Sequence, residues 1–272
     1  MPIKMINGIN TSYEDYGAGE PVMLLTGTGA RGRVWNTYQV PALTKAGFRV
    51  ITVDSRGVPP TDLCEQGFTL ADLIDDTAAL IEFLEIGPCR IVGLSLGAVV
   101  VQELLLARPE LVRQAVLMAT RGRTDALGAA ISAAELELFD CGIKLPPRFD
   151  AAMRVMQGFS RHTLRDEELV RDWLDIFELS SVGPSLSRSQ LVLDMITDRL
   201  ESYRNIKTDC LVMAFEDDLL ALPHLGREVA DRIPGSTFQE IARCGHFGYI
   251  ERPDAVNSAL IDFFQGGCPD AV

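Results

Sequence analysis

The stretch Arg90-Ile91-Val92-Gly93-Leu94-Ser95-Leu96-Gly97-Ala98-Val99 decides the fold. A short apolar run rich in β-branched residues, the pattern of a buried strand, meets Gly-x-Ser-x-Gly. It then passes into Val99 to Ala107, which reads as a buried helix. A serine at such a strand-to-helix corner is forced into a strained backbone conformation, with its hydroxyl standing clear of the turn. Gly93 and Gly97 carry no side chains that would block the close approach of strand and helix. Gly-x-Ser-x-Gly alone also describes a glycine-punctuated turn with an inert serine. The strand before it and the helix after it give Ser95 the setting of a nucleophile.

On the N-terminal side, Ile3 and Met5 alternate with Lys4, Asn7-Gly8 supplies a two-residue turn, and Ile9 to Tyr13 returns as the second arm of a hairpin. Val22 to Leu25 reads as a buried strand, followed by the loop Gly27-Thr28-Gly29-Ala30-Arg31-Gly32. A helix is expected from Pro41 to Ala46 and a strand from Phe48 to Asp54. Between Thr69 and Leu84 the apolar residues Leu70, Leu73, Ile74, Leu80, Ile81 and Leu84 fall at helical spacing, with Thr69 as the cap and Asp72 three residues on. Beyond the elbow helix, Ala115 to Ala119 is a further strand. Such alternation argues for an α/β fold, a mostly parallel sheet flanked by helices on both faces.

The rhythm stops at Thr120. Helical stretches are expected around Ile131 to Phe139, Phe149 to Phe159, Glu167 to Leu179 and Ser187 to Tyr203, separated by Pro146-Pro147 and Val182-Gly183-Pro184. Residues 125–205 therefore read as an inserted helical cap, too apolar to stay unfolded, between core segments 1–124 and 206–272. Trp35 in the core and Met156, Trp173 and Phe177 in the cap are the candidate substrate-binding residues. Helical spacing of the cap residues is equally the pattern of its own packing face. Alternation resumes with a strand at Cys210 to Phe215, a helix from His224 to Arg232 and a strand at Thr237 to Ile241. A loop then carries His246, and Pro253 opens a last helix to Phe264. The tail Gly266-Gly267-Cys268-Pro269-Asp270 is expected to fray.

A chain of 272 residues, 47% hydrophobic and 23% charged, suits one domain with an insertion. Its net charge of −13 disfavours nucleic acid and anionic membrane as partners, since phosphate backbones are bound through clustered Lys and Arg. No run of 18 apolar residues occurs, and Met1-Pro2-Ile3-Lys4 lacks the apolar segment of a secretory signal, so a soluble cytoplasmic protein is expected. Cys64, Cys89, Cys141, Cys210, Cys244 and Cys268 are scattered without C-x-x-C spacing, which favours free thiols over disulfides or a metal site. Cys244, two residues before His246, fits a small apolar packing role better than a place in a site.

A serine hydroxyl is a poor nucleophile until a base takes its proton, and the base needs a carboxylate to fix its tautomer. Of three histidines, His162 and His224 read as surface residues. His246, in Cys244-Gly245-His246-Phe247 after a strand, is placed to deliver an imidazole to the sheet edge. For the acid, the loop after the Cys210 strand offers Glu216, Asp217 and Asp218, with Asp125 after the preceding strand as an alternative.

Serine, acid and histidine in that chain order, with the serine on Gly-x-Ser-x-Gly, resemble the α/β-hydrolase superfamily. The likeness covers nearly the whole chain outside the cap and is closest to cap-bearing esterase, enol-lactonase and perhydrolase-like members. The family's acid motif, Gly-x-x-Asp followed by a proline, is similar to Phe215-Glu216-Asp217-Asp218 with Pro223, which implies Asp218 as the acid. Phe215 departs from the usual glycine. The resemblance implies an oxyanion hole made by the backbone N–H groups of Leu96 and Thr28. The loop before Thr28 usually reads His-Gly and here is Thr26-Gly27, so the histidine's supporting contacts are lost. Asp54-Ser55-Arg56-Gly57 resembles the family's Asp-x-Arg-Gly turn, but Val58-Pro59-Pro60-Thr61 replaces its usual continuation.

The expected activity is that of a serine hydrolase cleaving an ester, thioester or lactone of a small organic substrate through an acyl-enzyme on Ser95. It needs no cofactor and no metal, and a homodimer is left open. The alternative is a non-hydrolytic lyase or acyltransferase of the same fold, such as an acyl elimination in a biosynthetic tailoring pathway. A rival class is a nicotinamide- or flavin-dependent enzyme. Gly27 to Gly32 is a literal Gly-x-Gly-x-x-Gly after a strand, and Asp54 ends the next strand 22 residues beyond Gly32. Pro41 would interrupt the helix that phosphate binding requires there. A non-catalytic binding protein that kept the fold is the remaining class, opposed by the complete Ser95, Asp218 and His246 set.

Overall fold

Asn7 and Gly8 turn β1 (Ile3–Ile6) back onto β2 (Ile9–Tyr16), with Ile6 paired to Ile9, as the dipeptide predicts. The computed structural model describes residues 2–180 and 187–266. In it β3 (Glu20–Leu25), α1 (Gln39–Lys45), β4 (Phe48–Val53), α2 (Leu70–Phe83), β5 (Cys89–Leu94), α3 (Leu96–Ala107) and β6 (Val112–Met118) follow in turn. Helices α4 (Ala126–Asp140), α5 (Pro147–Gly158), α6 (Glu167–Ser180) and α7 (Arg188–Leu193) lie between β6 and β7 (Asp209–Phe215). The chain finishes with α8 (Pro223–Arg232), β8 (Thr237–Ile241), α9 (Gly248–Glu251) and α10 (Pro253–Phe264).

The strands form one eight-stranded sheet in the order β1-β2-β4-β3-β5-β6-β7-β8, antiparallel at the β1 and β2 edge and parallel from β4 onward. Period-two alternation of the central strands divides the core between the two faces. Met23, Ile91, Leu117 and Val212 pack with α2, α3 and α8 on one side. Val22, Leu24, Val92, Val116 and Met213 pack against α1 and α10 on the other. Strands buried on both faces explain their near-continuous apolar runs. Among the described residues no helix is long and apolar enough to cross a membrane, and Cys64, Cys89, Cys141, Cys210 and Cys244 are free thiols.

Two expectations need correction. Helix α3 begins at Leu96, immediately after Ser95, rather than at Val99. The single helix expected from Ser187 to Tyr203 is instead α7 followed by irregular chain and a short 3-10 turn at Ser202–Asn205. The cause is backbone pairing with the segment leaving β6. Thr124 N donates to Ile196 O at 3.3 Å, Ile196 N donates to Thr124 Oγ1 at 2.8 Å, and Arg199 N donates to Gly122 O at 2.8 Å. These long-range bonds override local helical preference. The break expected at Val182-Gly183-Pro184 and the tail from 267 onward lie outside the described residues.

The cap on α2 is as the spacing predicts. Asp72 N donates to Thr69 Oγ1 at 3.4 Å, and Thr69 N donates to Asp72 Oδ2 at 2.7 Å. Thr69→Ala should lower unfolding free energy by about 1 kcal/mol. Urea denaturation with activity assayed in parallel checks this, because the cap should affect stability and leave turnover unchanged.

Candidate active site

The close packing of β5 on α3 shapes the corner at Ser95. A Cβ on Gly93 would lie 2.4 Å from Gly97 O and 2.6 Å from Ala98 N, and one on Gly97 would lie 2.6 Å from Thr26 O. No side chain fits at either position. Ser95 itself adopts φ 54°, ψ −118°, a conformation costly for an L-residue, and is held there by its N–H donating to Met118 O at 3.0 Å. The helix starts at the next residue, so the Leu96 N–H lies at a helix N-terminus, where an amide lacks an intrahelical acceptor. Gly27 lies against the serine: its Cβ would stand 3.1 Å from Ser95 Cβ and 3.6 Å from Ser95 Oγ. Among the described residues, no protein acceptor takes the Thr28 N–H.

His246 and Asp218 meet at the ends of neighbouring strands. His246 Nδ1 lies 2.9 Å from Asp218 Oδ2 and 3.1 Å from Oδ1, so the carboxylate holds the proton on Nδ1 and leaves Nε2 as an acceptor. Asp218 is 1% exposed, and its Oδ1 also accepts the N–H groups of Leu220 at 2.8 Å and Ala221 at 2.9 Å. Those backbone donors fix the orientation of the carboxylate toward the imidazole. Ser95 and His246 are nearly buried as well, at 8% and 7% exposure. The elements are right for preorganised acyl chemistry: a strained serine, backbone donors beside it, and a carboxylate-oriented imidazole.

The neighbouring acids have different tasks. Glu216 Oε2 accepts the Arg243 N–H at 2.7 Å, while Asp217 lies 3.6 Å from Arg161 Nε and 3.9 Å from His162 Nε2. Asp125 is the N-cap of α4, accepting the Gly128 N–H at 2.8 Å, and His224 is exposed on α8. Cys244 is fully buried, donates to Ile241 O at 3.2 Å, and burial pushes its thiol above the ordinary range.

The four candidate substrate-binding residues separate. Trp35 has no exposed surface and packs against Tyr249 at a ring separation of 5.0 Å, within the α1 and α10 core. Its bulk fills the core, which corrects the expectation that it faces a substrate. Met156 is 52% exposed and takes no part in the aromatic cluster around α5 and α6. Trp173 and Phe177 join Phe159 and Phe247, with Phe177 and Phe247 5.8 Å apart and Phe247 6.1 Å from the His246 ring. They are the packing face of α5 and α6, seated on the residue next to His246.

Asp54 is occupied by its own fold. It is 1% exposed, its Oδ1 accepts the Gly32 N–H at 2.8 Å, and burial pushes its carboxyl above the usual range. The loop from Gly27 leads into a 3-10 turn at Gly32–Asn36, so neither the acid nor the helix of a dinucleotide site is available. Arg56 pairs with Asp76 at 2.7 and 2.6 Å. Thr61 Oγ1 donates to Asp54 O at 2.7 Å and accepts the Ser12 N–H at 2.9 Å, pinning the Pro59-Pro60 turn to β2.

Several residues of this region escape a sequence reading. Glu251 accepts from Ser160 Oγ at 2.8 Å, Ser160 N at 3.0 Å and Gly245 N at 2.5 Å, tying the end of α5 to the histidine loop. Gln190, Asp194 and Arg121 surround the Thr26–Gly29 loop. Their partners lie 73 to 166 residues away in sequence, and no local motif signals them.

The model of the alpha/beta hydrolase family matches residues 22–259. The chain belongs to the alpha/beta hydrolase family. It is 48% identical over 258 residues to BpoC of Mycobacterium tuberculosis, provisionally named a non-heme bromoperoxidase, covering 94% of this chain and 98% of the relative. The crystal structure of that protein superposes with a TM-score of 0.91 at 46% identity, covering 95% of this chain and 96% of the other. A thermophilic esterase from Thermogutta terrifontis (TM-score 0.84, 97% and 98% covered) and the enol-lactonase from Burkholderia xenovorans (TM-score 0.78, 97% and 100% covered) share the fold at 23% identity. Family membership supports an enzyme of hydrolase type.

The elbow packing is testable through glycine. Gly93→Ala should destabilise the protein by about 1–3 kcal/mol, since backbone rather than a flexible side chain meets the new methyl. Gly226→Ala on α8, whose Cβ would meet nothing closer than 3.7 Å, should stabilise by about 0.5–1 kcal/mol. Denaturant midpoints of the two variants shifting in the same direction would contradict the packing account.

Proposed function

We propose that the chain is a serine hydrolase cleaving an ester, thioester or lactone of a small organic substrate through an acyl-enzyme on Ser95. The observation that carries this is the His246–Asp218 pair, with Nδ1 held on a buried carboxylate at 2.9 Å, in a fold whose elbow presents Ser95. His246 Nε2 takes the Ser95 hydroxyl proton as Oγ attacks the acyl carbon, and Asp218 stabilises the imidazolium. The N–H groups of Leu96 and Thr28 receive the oxyanion. The leaving alcohol, thiol or lactone oxygen departs with the proton from His246. Water then attacks the acyl carbon with His246 again as base, releasing the acid and restoring the Ser95 hydroxyl.

The name carried by BpoC favours one second reading. Hydrogen peroxide replacing water in the last step would release a peroxy acid from the same acyl-enzyme, and that oxidant could pass an oxygen to bromide. Elimination from an acylated substrate would also use these three residues but would give an alkene as the partner product.

Ser95→Ala should fold normally and lose roughly four to six orders of magnitude in turnover, and Asp218→Asn about four. Glu216→Gln keeps an acceptor for the Arg243 N–H and should stay within about tenfold of wild type. In heavy-oxygen water the released acid should carry the label and the partner product should be the free alcohol or thiol. Near-normal turnover by Ser95→Ala would remove the nucleophile, and a partner product one water lighter would establish elimination instead.

A further inference from the structure

We propose that Gln190 in α7 and Asp194 at its C-terminal end are positioning residues that hold the Thr26–Gly29 loop so that its Thr28 N–H aims at the oxyanion. The proposal rests on the acyl-enzyme assignment above. Thr28 Oγ1 donates to Asp194 Oδ2 at 2.8 Å, and the Gly29 N–H donates to Gln190 Oε1 at 2.7 Å. Both acceptors are themselves fixed. Arg121 Nη2 donates to Asp194 O at 2.8 Å and to Oδ1 at 3.2 Å, and Gln190 Nε2 donates to Arg56 O at 2.8 Å. Gln190 is 1% exposed, and the Arg121 and Asp194 side chains are 10% and 15% exposed, so these bonds lie largely out of water, where they hold geometry best.

The loop needs this support at its far end, for Thr26 is buried whereas Thr28 and Gly29 are only half-buried. Thr26 and Gly27 pack on the elbow, where a Cβ on Gly97 would lie 2.6 Å from Thr26 O and one on Gly27 3.1 Å from Ser95 Cβ. Close packing therefore fixes the start of the loop, and the bonds to Asp194 and Gln190 hold the residues beyond it. Within the loop, Thr26 Oγ1 donates to Ala30 O at 2.8 Å, which closes the turn but reaches no neighbouring element. Where a histidine would otherwise support this loop, the helical segment between β6 and β7 supplies the anchors. Among the described residues no protein acceptor takes the Thr28 N–H while its side chain is tied, which orients the amide without consuming it.

The test uses full-length protein, p-nitrophenyl acetate as substrate and a fluorophosphonate as a probe whose phosphoryl oxygen needs the same backbone donors. Thr28→Val keeps shape but removes the hydroxyl. It should lower kcat and the rate of Ser95 phosphonylation by about ten- to a hundredfold, less than loss of an oxyanion donor itself. KM should stay within about twofold, because the interaction serves the transition state. Thr28→Ser should recover most of the loss. Asp194→Ala, which also removes an acceptor of Arg121, should lose at least as much as Thr28→Val, and the double variant should be no worse than Asp194→Ala alone, because the Thr28 bond is already lost there. Melting temperatures taken on the same samples separate positioning from unfolding. Wild-type rates in Thr28→Val, no recovery in Thr28→Ser, or fully additive losses would overturn the proposal while wild type is still phosphonylated at Ser95. A wild-type chain that resists phosphonylation overturns the nucleophile assignment and the proposal with it.

Discussion

The contact on which the rest depends is the approach of α3 to β5 and to the end of β3, so close that Gly93 and Gly97 leave no room for a methyl group. Nothing flexible lines that approach: backbone faces backbone, and the residue between must turn sharply. Ser95 therefore sits at φ 54° instead of in an ordinary well, with the helix starting at its next residue. Strain of this kind persists only where surrounding structure over-determines it. Here the sheet does so, through strands buried on both faces and the bond from Ser95 N to Met118 O.

The other members of the proposed catalytic set arrive from distant segments. Asp218 and His246 stand after β7 and β8, strands that are neighbours in the sheet, so pairing of the two strands brings acid and base together. The helices between β6 and β7 then cover this region by two kinds of contact. Aromatic packing of Phe159 and Phe177 on Phe247 seats α5 and α6 beside the histidine. The loop beside the serine donates hydrogen bonds to Gln190 in α7 and to Asp194 just after it.

Most of the sheet is legible in the sequence because its signals are local: β-branched runs, the Asn7-Gly8 turn, the Thr69 and Asp72 cap. The Ser95 corner and the Asp218–His246 pair are legible for a different reason, since each residue ends or follows a strand in a recognisable order. Misreadings arise where distant contacts decide. Ser187 to Tyr203 has helical spacing, yet pairing with Gly122 and Thr124 ends the helix early. Trp35 looks available after a glycine-rich loop but fills the core against Tyr249. Asp194 and Gln190 carry no motif at all, and only the fold brings them to Thr28 and Gly29.

The most direct measurement is mass spectrometry of the full-length protein quenched within milliseconds of mixing with p-nitrophenyl acetate, followed by peptide mapping. A single acetyl group on the peptide containing Ser95, accumulating no later than p-nitrophenol is released and decaying at a rate compatible with turnover, is the predicted result. Steady turnover with the acetyl group on another residue, or with equal rates in Ser95→Ala, would contradict the account.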